Sequence, residues 1–385
     1  MVAISIESKQ LKKSRDPFFD NAKFILVFLV VFGHLISMFK GNNEFLYLMI
    51  NFLATFRMPA LILIAGYFSK NFYKKGFIQK VSSKTILPYV IFEVLYSYYN
   101  FVLYGYESVQ LSLFLPTMGM WFLLSMFCWN LMLFIFTKLK YSLVIAFLLG
   151  IGIGFFDNAG AYLSVSRTFV FFPFFLIGYY MKAEHFHFAK HKYAKYLSLV
   201  LVIICITIIW VADSSIFRMY LLGKYSIDTI GHSLLGGTLY RIIIYFIMLC
   251  GICSFLPWVT KKQVFFTSLG KRTAYVYIFH FFIIKYIKTL DWYTEWSKIH
   301  IIIIPFFAII ITLLLSSKPF ISFTRPLVEY KFSLTTFKKP LDYIKISIIM
   351  FIIIVYILHS WTSNRFEKLL VENARLITFN YLPCF

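Results

Sequence analysis

Long apolar runs alternate along the chain with short basic segments. The first run, "FILVFLVVFGHLISMF" at 24–39, contains only two residues that are neither apolar nor glycine, His34 and Ser37. Similar runs recur near 45–68, 85–104, 119–137, 141–156, 163–181, 196–212, 234–256, 273–290, 299–316 and 346–361. Such runs predict helices that cross a bilayer, because a hydrocarbon core of ~30 Å needs ~20 helical residues and leaves no water for unpaired backbone groups. Pro59, inside the second run, is expected to kink or break its helix. The expected fold class is all-α: a polytopic membrane bundle of ten core spanning helices plus an eleventh.

The basic residues test that count. With the N-terminus inside, the segments 1–23, 69–84, 138–140, 182–195, 257–272 and 317–345 hold 26 Lys and Arg, against 4 in the segments expected outside. This asymmetry predicts a cytoplasmic N-terminus and a multi-pass protein of the cell membrane. The expected organisation is a membrane domain over 1–316, a cytoplasmic connector at 317–345, the eleventh span at 346–361 and a tail at 362–385. The first apolar run follows "KQLKKSR" and has no small-residue cleavage site after it, so it is expected to stay as a signal anchor.

Composition narrows the function classes. Of 385 residues 60% are hydrophobic, with a mean hydropathy of +0.78, too apolar for a soluble domain of this size. The net charge of +22 would point to nucleic acid in a soluble protein. Here it belongs to loops that meet anionic headgroups, so membrane lipids are the expected partner and nucleic acid is not. The five cysteines form no disulfide framework, and "CGIC" at 250–253 lacks a second pair, so no metal site is expected. "GIGIG" at 150–154 lies in a span, where small residues serve close helix packing rather than nucleotide binding.

Ionisable residues at membrane depth are costly and mark candidate sites. They are His34, Arg57, Glu93, Arg167, Arg241, His280 and Lys285, with Lys23 at the inner edge. Lys23 and His34 are eleven residues apart, a net rotation of about 20° and an axial separation of ~16.5 Å on one helix face. Asp20 lies on nearly the same stripe. A surface cation aligned with a base at depth suits a long ligand with an anionic head, such as acyl-coenzyme A. The ordinary alternative is an interface anchor at Lys23 and a helix-to-helix hydrogen bond at His34. Arg57, Arg167 and Arg241 suit an oxyanion, a phosphate or a glycan, or else pair with Glu93 or backbone carbonyls. Glu93 either orients a base or neutralises an arginine. His280 is a site candidate or a structural residue. Tyr277 and Trp121 read as packing, and Lys285 as a snorkelling cation.

Several stretches then carry a resemblance. "DPFFDNAKFILVFLVVFGHLI" (16–36) resembles the opening of the membrane acyltransferase-3 family, whose hallmark is Arg or Lys, ten residues, then His; Lys23 and His34 match it. "FRMPALILIAGYF" (56–68), "KVSSKTILPY" (80–89), "MWFLLSMF" (120–127), "FPFFLIGYYM" (172–181) and "LGKRTAYVYIFH" (269–280) resemble further family motifs in the same order, over roughly 16–316. The fit is closest to the fucose 4-O-acetylase-like branch. Arg57 stands where many relatives carry His, and Lys80 and Lys84 stand in place of a close arginine pair.

The resemblance implies O-acylation of an extracytoplasmic cell-surface glycan, or a lipid-linked glycan, with cytoplasmic acetyl-CoA or another acyl-CoA as donor. His34 would be the catalytic residue. Lys23, Lys80 and Lys84 would bind the donor, and Arg57, Arg167, Glu93 and His280 the substrate or oxyanion. The short tail stands where some relatives carry an outer esterase-like domain. The rival expectation is a transporter or flippase for a lipid-linked glycan, which would also bury charges in broken helices. Against it, the halves show no internal repeat.

Overall fold

The computed structural model describes residues 15–39, 43–160, 162–290 and 302–329, and these contain helices and turns but no strand. The predicted eleventh span, the tail and the connector beyond 329 lie outside the described residues. In chain order the helices are α1 (Pro17–Ile36), α2 (Glu44–Phe68), α3 (Phe77–Lys84), α4 (Ile86–Tyr104), α5 (Trp121–Phe136), α6 (Ser142–Gly152), α7 (Val165–Tyr180) and α8 (Lys192–Val211). These are followed by α9 (Ser214–Leu222), α10 (Ile227–Ile230), α11 (Leu234–Phe255), α12 (Thr273–Thr289), α13 (Ile304–Leu315) and α14 (Lys318–Val328).

Every predicted core run coincides with a helix. Among the described residues, 7 helices are long and apolar enough to cross a membrane, or 8 if α13 and α14, bent by 65°, are one broken span. The shortfall from ten lies in short helices. α6 has 11 residues and α13 has 12, while α12 has 17 after a 3-10 turn at Leu269–Arg272. Hydropathy marks an apolar run but does not say how much of it keeps α-helical geometry.

Local chemistry sets the helix starts. Asp16 caps α1, accepting from Phe18 N at 2.9 Å, with Pro17 at the first helical position. Asn43 caps α2 and Asp213 caps α9 in the same way. α2 runs through Pro59 without interruption, although proline removes one backbone donor. It packs against α1, α7, α8, α9 and α11, and Pro59 is itself buried.

The α2–α7 contact is backbone-close. A Cβ at Gly66 would lie 1.9 Å from Phe175 O, and one at Gly178 would lie 1.9 Å from Leu63 O. Each glycine therefore admits the other helix's main chain, the small-residue packing expected in lipid. Around this seam the core is aromatic: Trp129, Phe172, Phe174 and Phe175 are fully buried. Buried aromatics with a polar group end on carbonyls: Trp129 Nε1 donates to Thr168 O at 2.7 Å, and Tyr96 Oη, between α4 and α12, to Ile278 O at 2.6 Å. Asn21 ties the start of α1 to the loop before α12, donating to Thr260 O at 2.8 Å and accepting from Thr267 Oγ1 at 2.7 Å.

Candidate active site

α1 carries both ends of the site. Near its start, Lys23 Nζ contacts Asp20 Oδ1 at 2.8 Å, and Arg15 donates to the same oxygen at 2.7 Å. The carboxylate thus holds two cations beside each other. Lys23 and Lys84 line a cavity of ≈ 210 Å³ whose other walls are mostly apolar, among them Val27, Phe68 and Phe122, with Tyr277 and Thr273. Lys80 is exposed and lines no part of it.

Toward the other end of α1, His34 lines a second cavity, ≈ 250 Å³, together with Arg57, Trp121, Arg167, Tyr277 and Phe281. The two cavities share Tyr277, whose hydroxyl donates to Gly119 O at 2.8 Å. The His34 ring rests against Phe281, centroids 4.6 Å apart, and lies 5.5 Å from the His280 ring. Among the described residues, no group hydrogen-bonds either ring nitrogen of His34, while Ser37 Oγ donates to its backbone carbonyl at 2.6 Å.

Arg57 reaches the cavity from α2, 6% exposed. Its Nη1 donates to Leu29 O at 3.5 Å and occupies the space left by Gly33. The missing side chain beside His34 is therefore filled by a guanidinium from the next helix. Arg167 comes from α7, its guanidinium 5.0 Å from the Trp121 ring centroid. Trp121 and Tyr277 thus pack and also form cavity wall.

The remaining sequence candidates sit elsewhere. Glu93 is fully buried on α4 and lines neither cavity; its Oε1 accepts from Thr117 N at 2.7 Å. It thereby anchors the turn that delivers Met118 and Gly119 to the cavity wall. His280 is fully buried behind His34, with Nδ1 3.0 Å from Val276 O and Nε2 without a partner. Arg241 donates to Gly150 O at 3.2 Å and Tyr225 O at 2.7 Å, away from both cavities. Lys285 does not snorkel: it is 7% exposed and donates to Asn100 Oδ1 at 2.5 Å, because the α4–α12 seam supplies an acceptor at that depth.

Two cations near the His34 cavity carried no signal at membrane depth. Arg218, on α9, is an electrostatic neighbour of both His34 and Arg57. Lys224, just beyond α9, is an electrostatic neighbour of Arg167. Burial, and then the Arg167 guanidinium, push the Lys224 ammonium below its usual range, and burial does the same to Arg218. A cue was present: the segments expected outside hold only 4 basic residues, and Arg218 and Lys224 are two of them, in one segment.

The geometry now has a family. The acyltransferase-3 model, described as an acyltransferase domain, matches residues 16–317, and the chain belongs to that family. It is accordingly a helical, multi-pass membrane acyltransferase. No curated protein and no solved structure matches the chain.

Proposed function

We propose that this protein transfers an acetyl or other short acyl group from cytoplasmic acyl-CoA to a hydroxyl of an extracytoplasmic cell-surface glycan. One observation carries the reading. The His34 imidazole, with no hydrogen bond to its ring among the described residues, lines a cavity together with two guanidiniums, Arg57 and Arg167. A sugar hydroxyl is a poor nucleophile at neutral pH and needs a positioned base. An imidazole nitrogen takes the hydroxyl proton as the oxygen attacks the thioester carbon. The C–O bond forms and the carbonyl electron pair moves onto oxygen, where Arg57 and Arg167 provide N–H donors. Collapse breaks the C–S bond, and the imidazolium returns the proton to the departing sulfur. A transient acyl group on His34 would use the same residues.

The donor's phosphates fit the other cavity, where Lys23 and Lys84 provide point charges rather than a bidentate fork. Tyr277 borders both cavities, so the acyl arm passes it on the way to His34. The 26-to-4 split of Lys and Arg supports a cytoplasmic N-terminus, with the Lys23 end inside and ten core spans that count α6, α12 and α13.

The test uses purified protein in proteoliposomes, acyl-CoA labelled in the acyl group and surface glycan as acceptor. Label should move to glycan with wild type and not with His34→Ala, at matched melting temperature. Full transfer by the variant would refute the role of His34. Translocation of a lipid-linked glycan without thiol release would favour a flippase instead.

A further inference from the structure

The His34 cavity has a charge imbalance that acyl transfer by itself does not require. Arg57 and Arg167 line it, and α9 contributes Leu221 and Leu222 to the same wall. That helix also carries Arg218, about one turn before Leu222, and leads to Lys224, two residues beyond it. Two guanidiniums thus line one small cavity, and two further cations stand on or just beyond a helix that walls it. Among the described residues the ion pairs are Arg15–Asp20, Lys23–Asp20 and Arg325–Glu329, so none of the four is paired. Arg218 Nη1 is buried without any hydrogen-bond partner.

Glu93 and Asp213 are already engaged elsewhere. Glu93 faces Thr117 N, and Asp213 is turned onto its own helix, accepting from Ser215 N and Ile216 N at 2.9 Å each. Asp213 is held below the usual carboxylate range by those bonds, the Ser215 side chain first, so it stays charged but faces away. Burying guanidiniums without counter-charge is costly, and such an arrangement persists where a ligand completes it. Arginine also suits phosphate and carboxylate specifically, through paired N–H donors.

The anion is not readily the donor's. The donor reading assigns its phosphates to Lys23 and Lys84, about 16.5 Å along α1 from His34. Resting on that reading, we propose that the glycan acceptor itself carries an anionic group, a phosphodiester or a carboxylate, close to the hydroxyl that is acylated. Arg167, Arg218 and Lys224 bind that group, while Arg57 stays with the reacting carbonyl.

Initial rates of thiol release from acetyl-CoA would be compared for three synthetic oligosaccharides: one bearing a phosphodiester, one a carboxylate, and a neutral parent. At least one charged acceptor should exceed the neutral one about tenfold or more in kcat/KM, and the better of the two identifies the anion. Arg218→Gln and the half-buried Lys224→Gln should each raise that acceptor's KM about tenfold and leave the acetyl-CoA KM within about twofold, with partial rescue in Arg218→Lys. With unaltered protein, inorganic phosphate or sulfate should inhibit competitively against the acceptor. Equal use of the neutral parent would overturn the proposal, as would variants that raise the acetyl-CoA KM instead, which would give the cluster to the donor. Either result leaves acyl transfer intact. Wild type that releases no thiol with any acceptor would overturn both readings.

Discussion

Gly33→Ala adds one methyl group to α1 and should disable the enzyme while leaving it folded. The new Cβ would lie 1.7 Å from Arg57 Nη1 and 3.0 Å from its Cζ. Ordinary carbon contacts sit near 3.5–4.0 Å, so the guanidinium must retreat by about 2 Å. The obstructing atoms are the far end of a flexible side chain, so the helices need not part. Alanine also favours a helix interior over glycine by up to ~1 kcal/mol. The melting temperature should therefore hold or rise. Arg57, however, leaves the carbonyl that the proposed mechanism assigns to it and loses its 3.5 Å bond to Leu29 O. A misplacement of ~1 Å at a reacting centre costs on the order of 10²-fold, so kcat should fall about 10²-fold. The assay is thiol release at saturating donor and acceptor, with thermal unfolding on the same preparation and Arg57→Ala as the reference for complete loss. A Gly33→Ala enzyme within about twofold of wild type, beside an inactive Arg57→Ala, would refute the claim that the guanidinium's position matters.

Further outcomes follow from the same geometry. Lys84→Gln should raise the acyl-CoA KM about fivefold to tenfold, whereas Lys80→Gln, at an exposed position outside the cavity, should stay within about twofold; equal effects would remove Lys84 from the donor site. Gly178→Ala drives a Cβ to 1.9 Å from the Leu63 carbonyl oxygen, which cannot step aside as a side chain can; it should destabilise the protein by about 1–3 kcal/mol, read in thermal unfolding. Glu93→Ala strips Thr117 N of its acceptor and should cost about 1–3 kcal/mol, while Glu93→Gln keeps an oxygen there and should cost less; identical losses would show that the Thr117 bond is not what Glu93 provides.

Much of the fold was legible because lipid imposes a simple code. A run such as 24–39 must be helical once it is in hydrocarbon, and each predicted core run is indeed a helix. Its lengths were less legible. α6 is shorter than its apolar run because α-helix gives way to a 3-10 turn at Ile153–Phe155, and apolarity does not separate the two. In the candidate site, Lys23 and His34 could be aligned by counting, because helical phase is a property of one segment. Their surroundings could not. Lys23 shares Asp20 with Arg15, and the lysine expected beside it at 80 stays exposed while Lys84 lines the cavity.

By itself, then, the sequence determined an all-helical membrane protein, its family motifs in order, and one helix face bearing a basic residue and a histidine. Each of those depends on composition, spacing and the 3.6-residue turn, all local. Only the tertiary structure decided that Gly33 houses Arg57, that Tyr277 borders two cavities, that Glu93 supports a turn, and that α9, which carries Arg218 and leads to Lys224, walls the same cavity as His34. Those facts depend on which helix face meets which. That choice is made by side-chain volume and backbone approach between segments far apart in the chain, as at Gly66 and Gly178, and no single segment encodes it.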